Sequence, residues 1–292
     1  MQQPEDDENF NGVWARIVGM GGRREGSDDG IYGGHGPRFN YDFYAFQAGV
    51  DVYRLEHDDG VRDHAGLYGA IGRAEAKVRN WDGQTAGNDM VEAWSVGAYW
   101  TRFDDKRAYL DGVVQYTWYD LDAQSTRLPA LKGHARGFAA SLEGGKPYDW
   151  KNDWKIEPQA QFIYQHFFGA SGSDSGGRVR FEDGDSLVGR VGARLHRTWA
   201  DENEKGEQRL RSGWVRLNLW HEFLDQPKLS FATADGDVSF TSDTGENWLE
   251  LNGGSTLQMN EHGFLYFNAS YSWDLDGRGH AYTGKLGVRF NW

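Results

Sequence analysis

The chain has 292 residues, with 40 Gly, 6 Pro, no Cys and a formal net charge of −13, and aromatic side chains make up 15% of it. Lack of cysteine removes disulfide scaffolds, thiolate zinc sites and cysteine nucleophiles together, and the acidic balance argues against a surface for nucleic acid. The longest stretch free of Asp, Glu, Lys and Arg, Pro158 to Ser173, carries three Gln and one His, so no segment supplies the ~20 apolar residues of a membrane helix.

Taken in chain order, Met1–Asn9 is acidic and has no apolar core, unlike a secretory leader. An exported protein with this start reads as a mature fragment carrying an added methionine. From there, two-residue alternation runs almost to the end and convincing helical spacing occurs nowhere. About twelve strand-like segments follow, at 12–20, 40–55, 62–79, 89–103, 107–121, 134–148, 153–168, 185–199, 211–224, 245–258, 262–274 and 279–292. Most exceed the ~5–6 residues of a soluble strand. They suit tilted membrane strands, which need ~9–11 residues in hydrocarbon plus extensions.

The connections alternate in character. Gly21–Phe39, Gly169–Asp183 and Asp225–Thr244 are long and rich in Gly, Asp and Ser, whereas Asp104–Lys106, Asp149–Asn152 and Asn260–Glu261 are short and charged. Asp201–Gln208 is longer than this rule asks and Asp274–Gly279 shorter. Outer-membrane barrels segregate tight turns to one rim and loops to the other. The faces agree. Leu286, Val288, Phe290 and Trp292 alternate with Lys285, Gly287, Arg289 and Asn291, and Val215, Leu217 and Leu219 alternate with Arg216, Asn218, Trp220 and Glu222. Ile156, Ala160, Phe162 and Tyr164 alternate with Glu157, Gln159, Gln161 and Ile163 in the same way. Trp81, Phe103, Tyr119, Trp150, Trp154, Phe168, Trp199, Phe223, Trp248 and Trp292 lie near strand ends, where interfacial girdles sit. The expected fold is all-β: a transmembrane antiparallel β-barrel of about twelve strands, with short periplasmic turns and longer extracellular loops.

Particular runs resemble a known family. Gly12-Val13-Trp14-Ala15-Arg16-Ile17, Gly66 to Ala74, Ala93 to Thr101, Ser141 to Gly145, Glu157 to Gln161, Asp183 to Leu187, Asn218 to Phe223 and Gly287 to Trp292 look like the translocator domain of autotransporters (pertactin-like and related adhesin barrels, type V secretion). The resemblance covers nearly the whole chain in order. It implies an outer-membrane barrel of a Gram-negative bacterium that assists export of an N-terminal passenger to the cell surface. In family terms residues 11–292 are the barrel and residues 1–10 a remnant of the junction. The family's pore helix precedes its first strand; Gln2–Phe10 here is too short to cross the bilayer core at 1.5 Å per residue. The resemblance also implies partners: the passenger itself, the outer-membrane assembly machinery (BAM) and lipid or lipopolysaccharide, with the barrel monomeric.

By alternation, Asp51, Glu75, Asp111, Glu143, Glu157, Glu222 and Glu250 point inward with Arg16, Arg73, Arg190, Arg194, Arg216 and Arg289. They read as a network that neutralises charge and hydrates the lumen. Some family members use a lumen acid to help a junction Asn cut its own peptide bond, a general-base role. Asn9 and Asn11 are the only Asn residues before the first strand and they are not adjacent, which departs from that pattern. Gly287, Phe290 and Trp292 resemble the terminal signal read by the assembly machinery, although Leu286 stands where a polar residue is usual.

Two lures are weaker. Gly184-Asp185-Ser186-Leu187 spells an esterase signature, yet no Asp-x-x-His follows: Asn218 precedes His221 by three, Met259 precedes His262 and Gly277 precedes His280. Asp274-Leu275-Asp276-Gly277 opens like a calcium loop, but Lys285 stands at position twelve, so a hairpin turn is expected. No metal, cofactor or nucleotide site is expected, and the chain reads as a conduit and not an enzyme. An outer-membrane esterase or phospholipase barrel and a passive porin are the alternatives.

Overall fold

Inside hydrocarbon every backbone N–H and C=O must find a protein partner, so strands survive only in a sheet closed on itself. The computed structural model describes residues 12–26, 38–80, 82–126, 130–169, 171–174, 177–181, 183–202, 208–224, 228–233, 236–241 and 246–292. In chain order the strands are β1 (Gly12–Glu25), β2 (Arg38–Glu56), β3 (Arg62–Arg79), β4 (Thr85–Phe103), β5 (Tyr109–Ser125), β6 (Leu131–Gly145), β7 (Tyr148–Asp149), β8 (Lys155–Phe168), β9 (Ser171–Asp174), β10 (Gly177–Phe181), β11 (Gly184–Glu202), β12 (Gln208–Glu222), β13 (Lys228–Thr233), β14 (Gly236–Thr241), β15 (Asn247–Gln258), β16 (Gly263–Asp274) and β17 (Gly279–Asn291).

Twelve of these close the barrel by antiparallel pairing of chain neighbours: β1 to β6, β8, β11, β12 and β15 to β17, with β17 pairing back onto β1. The closure pairs Gly12 with Asn291 and Arg24 with Gly279, so the seam is zipped along almost its full length. Paired residues climb as they go round. The path from Val13 at the foot of β1 runs through Val50, Leu67, Ala98, Val114, Ala140 and Tyr164 to Leu187, at the opposite rim on β11. That stagger is the strand tilt a closed barrel requires.

The outer wall is apolar: Ile17, Phe46, Leu67, Val96, Phe162, Val191, Leu217, Phe267 and Leu286 are all exposed. In water such a surface would be an aggregation site; against acyl chains it is the solvated face. The interior is polar, with Asp51, Glu157, Gln159, Arg190, Arg194, Asn218 and Arg289 buried. A bulge between Asp51 and Tyr53 on β2 keeps Asp51 inside while Val52 and Tyr53 both reach the outer surface.

Strands run past the expected segments where the ladder outlasts the apolar pattern, as at Thr85–Asn88 on β4 and Asp122–Ser125 on β5. Two expected loops are partly strand. Gly169–Asp183 contains β9 and β10, and Asp225–Thr244 contains β13 and β14; the four join in a separate sheet of order β14-β13-β10-β9. The two loops join where Val179 to Phe181 pair with Phe231 to Leu229, a long-range contact that neither loop's own residue pattern carries. Trp81, the junction Asn9 and Asn11, and most of Gly21–Phe39 and Asp201–Gln208 lie outside the described residues. Of the expected girdle, Phe103, Tyr119 and Trp248 sit on inward positions of their strands. There Trp248 stacks on Trp220 with centroids 5.8 Å apart.

Candidate functional site

The lumen lining is set by parity: once Trp14 faces inward, every second residue of β1 does, and the register carries that parity round the ring. Two clusters and a few local pairs occupy it. Near the rim that holds Gly12 and Asn291, Arg289 on β17 reaches across β1 to Asp51 on β2 at 2.5 Å and bonds Asn291 at 2.7 Å. The Tyr99 hydroxyl donates to Asp51 and accepts from the Trp14 indole at 3.1 Å. Charges removed from water are tolerable only when paired and bonded in this way. Because the pair bridges the two strands flanking β1, it clamps the closing seam.

The second cluster spans β5, β6, β8, β11, β12 and β15. Arg190 pairs with Glu143 at 2.9 Å and donates to Asn218 at 3.0 Å. Tyr109 donates to Glu143 at 2.5 Å. Gln159 accepts from Arg216 at 3.0 Å and donates to Glu157 at 2.6 Å. Glu157 also lies 3.9 Å from Arg194 and 3.5 Å from His196. Glu250 accepts from Asn218 at 2.9 Å, Trp220 at 3.0 Å and Asn252 at 3.1 Å. Guanidiniums lie over indoles: Arg190 on Trp220 at 5.5 Å, and Arg194 and Arg216 on Trp214 at 5.7 and 5.6 Å. Arg is the cation suited to such stacking while its fork serves an acid.

The remaining acids are local. Asp111 accepts from Thr101 at 2.5 Å, and Glu222 accepts from Ser186 at 2.5 Å and from the Leu187 N–H at 2.8 Å. Arg16 bonds Gln47 at 2.5 Å over Trp14. Asp51, Asp111, Glu143, Glu157, Glu222 and Glu250 thus share the lumen side with Arg16, Arg190, Arg194, Arg216 and Arg289. Arg73 and Glu75 do not. They follow Leu67 and Ile71 on the outward parity of β3, pair with each other at 2.6 Å, and Arg73 also faces Glu92 at 4.0 Å. The inward assignment is corrected: beyond the hydrocarbon the outer wall becomes charged too, so polarity no longer marks the lumen. The network also recruits neutral members that charge-based selection missed, Gln159, Asn218, Tyr109 and Tyr99. Their only signal in the sequence is parity with the charged set.

At the C-terminus, Phe290 and Trp292 are exposed on the outer side. Gly287 faces inward, and an added Cβ there would run into the Tyr266 ring. Ser186 bonds a carboxylate and not a histidine. The Asp274–Gly277 segment is a turn: Gly277 has φ +76° and its N–H donates to the Asp274 carbonyl at 3.0 Å. His221 faces outward against Asn247 and Phe223.

An apolar wall around a lumen cross-linked by ion pairs defines a transmembrane β-barrel of the bacterial outer membrane. A profile of the autotransporter β-domain matches residues 13–270, and the chain belongs to that family. Among curated relatives, YdeU of Escherichia coli K12 is 24% identical over 96% of this chain and 60% of its own length. The adhesin BmaC autotransporter of Brucella suis is 25% identical over 97% of this chain and 8% of its own length. The chain therefore spans three-fifths or less of these relatives. The solved β domain of the Bordetella autotransporter BrkA superposes with a TM-score of 0.73 at 23% identity, over 97% of this chain and 100% of that one. The transport unit of AIDA-I from Escherichia coli gives 0.75 at 18%, over 100% and 93%. Both share the fold.

Proposed function

We propose that residues 11–292 assist export of an N-terminal passenger to the bacterial cell surface, with residues 1–10 belonging to the junction toward it. The observation that carries this reading is the lumen: a ring of paired Arg, Glu, Asp and Gln inside a wall closed from β17 to β1. Such a lining exchanges hydrogen bonds with an extended polypeptide without offering an apolar surface on which it would stick. Closure leaves no open edge in the barrel sheet, which supports a monomer. Phe290 and Trp292, presented outward on the last strand, suit recognition by the assembly machinery, and the apolar wall suits lipid. The lumen acids act as electrostatic partners of the arginines and not as catalysts. The esterase alternative requires a base at Ser186, whose partner is Glu222; turnover of short acyl esters lost in Ser186→Ala would favour it.

The test places a signal peptide, a pore-spanning helix and a reporter ahead of Gly12 and measures protease access to the reporter on intact cells. Access that falls when Trp292 is deleted supports both export and the assembly role. A folded, heat-modifiable barrel whose reporter stays inside overturns the export reading and moves the function to a passive pore.

A further inference from the structure

On the outer wall the border between charge and hydrocarbon can be followed strand by strand. On the half of the wall away from Gly12, the residue just inside the first outward charge is Tyr44 next to Asp42 on β2, Ile71 next to Arg73 on β3 and Trp94 next to Glu92 on β4. Trp118 stands next to Asp120 on β5, Phe138 next to Arg136 on β6 and Tyr164 next to His166 on β8. Five of these six are aromatic, and rings at this level mark the headgroup zone of a membrane barrel.

From β3 to β11 the charges of that first polar row are matched by neighbours, with one exception. Arg73 meets Glu75 and Glu92 at 2.6 and 4.0 Å, Asp120 meets His134 at 2.5 Å, and His166 meets Asp185 at 2.9 Å. Among the described residues Arg136 has no acid in ion-pair reach. In register beside it are Trp118 on β5 and Phe168 on β8. These belong to an aromatic group in which Tyr116 lies 5.0 Å from Trp118 and 6.3 Å from Phe168. Four residues up on the same face, the Lys132 side chain is 78% exposed and its ammonium only loosely held, 3.8 Å from Asp122.

We propose that this patch, Arg136 with Lys132 above it on the outer wall of β6, binds the phosphate of an outer-leaflet lipid headgroup. A guanidinium at the headgroup level with no protein acid meets phosphate through its two-pronged fork. The rings around it seat the start of the acyl region. At ~3.4 Å per residue Lys132 and Arg136 stand ~13 Å apart along the strand, a spacing that suits a headgroup with two separated phosphates. The proposal does not rest on export and stands or falls separately from it.

The test is native mass spectrometry of the whole chain in detergent, titrated with diphosphoryl lipid A and with the same lipid stripped of its phosphates. The phosphorylated lipid is expected to bind preferentially, with Arg136→Gln weakening it ~10-fold, Lys132→Gln ~3-fold and Arg136→Lys between the two. Equal binding of the stripped lipid, or wild-type affinity in Arg136→Gln, overturns the proposal. Inorganic phosphate at matched concentration is expected to leave the lipid in place; one-for-one displacement overturns the assignment to lipid and points to a free-anion site. If Arg136→Gln gives no heat-modifiable folded band, the order of Lys132→Gln and Arg136→Lys against the wild type decides.

Discussion

Gly287 belongs to two stories, an assembly signal and a packing site, and one substitution separates them. In Gly287→Ala the new methyl carbon would sit 2.7 Å from Cε2 of Tyr266 and closer still to Cζ and the hydroxyl. Ordinary carbon contacts begin near ~3.5 Å, so the ring must swing away from Gly287 by ~1 Å or more. Overpacking of this kind costs ~1–3 kcal/mol. Tyr266→Ala removes the ring and carries its own cost, ~3–5 kcal/mol for a large aromatic, but it also removes the obstacle. The two changes are therefore coupled: Gly287→Ala should cost ~1–3 kcal/mol in the wild type and close to nothing in Tyr266→Ala. Urea unfolding of the refolded barrel in micelles, read by gel shift and tryptophan fluorescence, measures all four corners of the cycle. An additive cycle, with Gly287→Ala equally costly in both backgrounds, refutes the packing argument and returns the glycine to the assembly signal.

Other outcomes follow from the same geometry. Asp51→Ala leaves Arg289 buried without its acid and should destabilise by ~3–5 kcal/mol, most of it recovered when Arg289→Met is added; a loss under ~1 kcal/mol in the same unfolding assay would show that the seam clamp is dispensable. Because the chain has no Cys, single replacements report sidedness cleanly. On intact cells Arg73→Cys should react with a membrane-impermeant maleimide at least ~10-fold faster than Thr117→Cys, which faces the lumen at 4% exposure. Equal rates would restore Arg73 to the lumen. At the tight turn between β4 and β5, Arg107 holds φ 66°, so Arg107→Gly should raise stability by ~1 kcal/mol, read as a higher urea midpoint.

The alternation of Leu286, Val288, Phe290 and Trp292 with Lys285, Gly287, Arg289 and Asn291 was enough to identify a strand with one face for lipid and one for water. Repeated about twelve times between turns of unequal length, it determined the all-β class, the membrane setting and the closed topology. The physical reason is that period, parity and segment length are local, and hydrocarbon leaves a chain with that pattern a single way to satisfy its backbone. Which residues touch was not local. Asp51 and Arg289 are 238 positions apart and meet only because β17 pairs onto β1; Tyr266 covers Gly287 only because of the β16–β17 register. Arg73 and Glu75 show the limit in the other direction: the rule that charge faces inward holds only as far as the lipid does. How high on the wall each strand leaves the membrane is set by tilt and stagger around the whole ring, and those exist only once the barrel has closed.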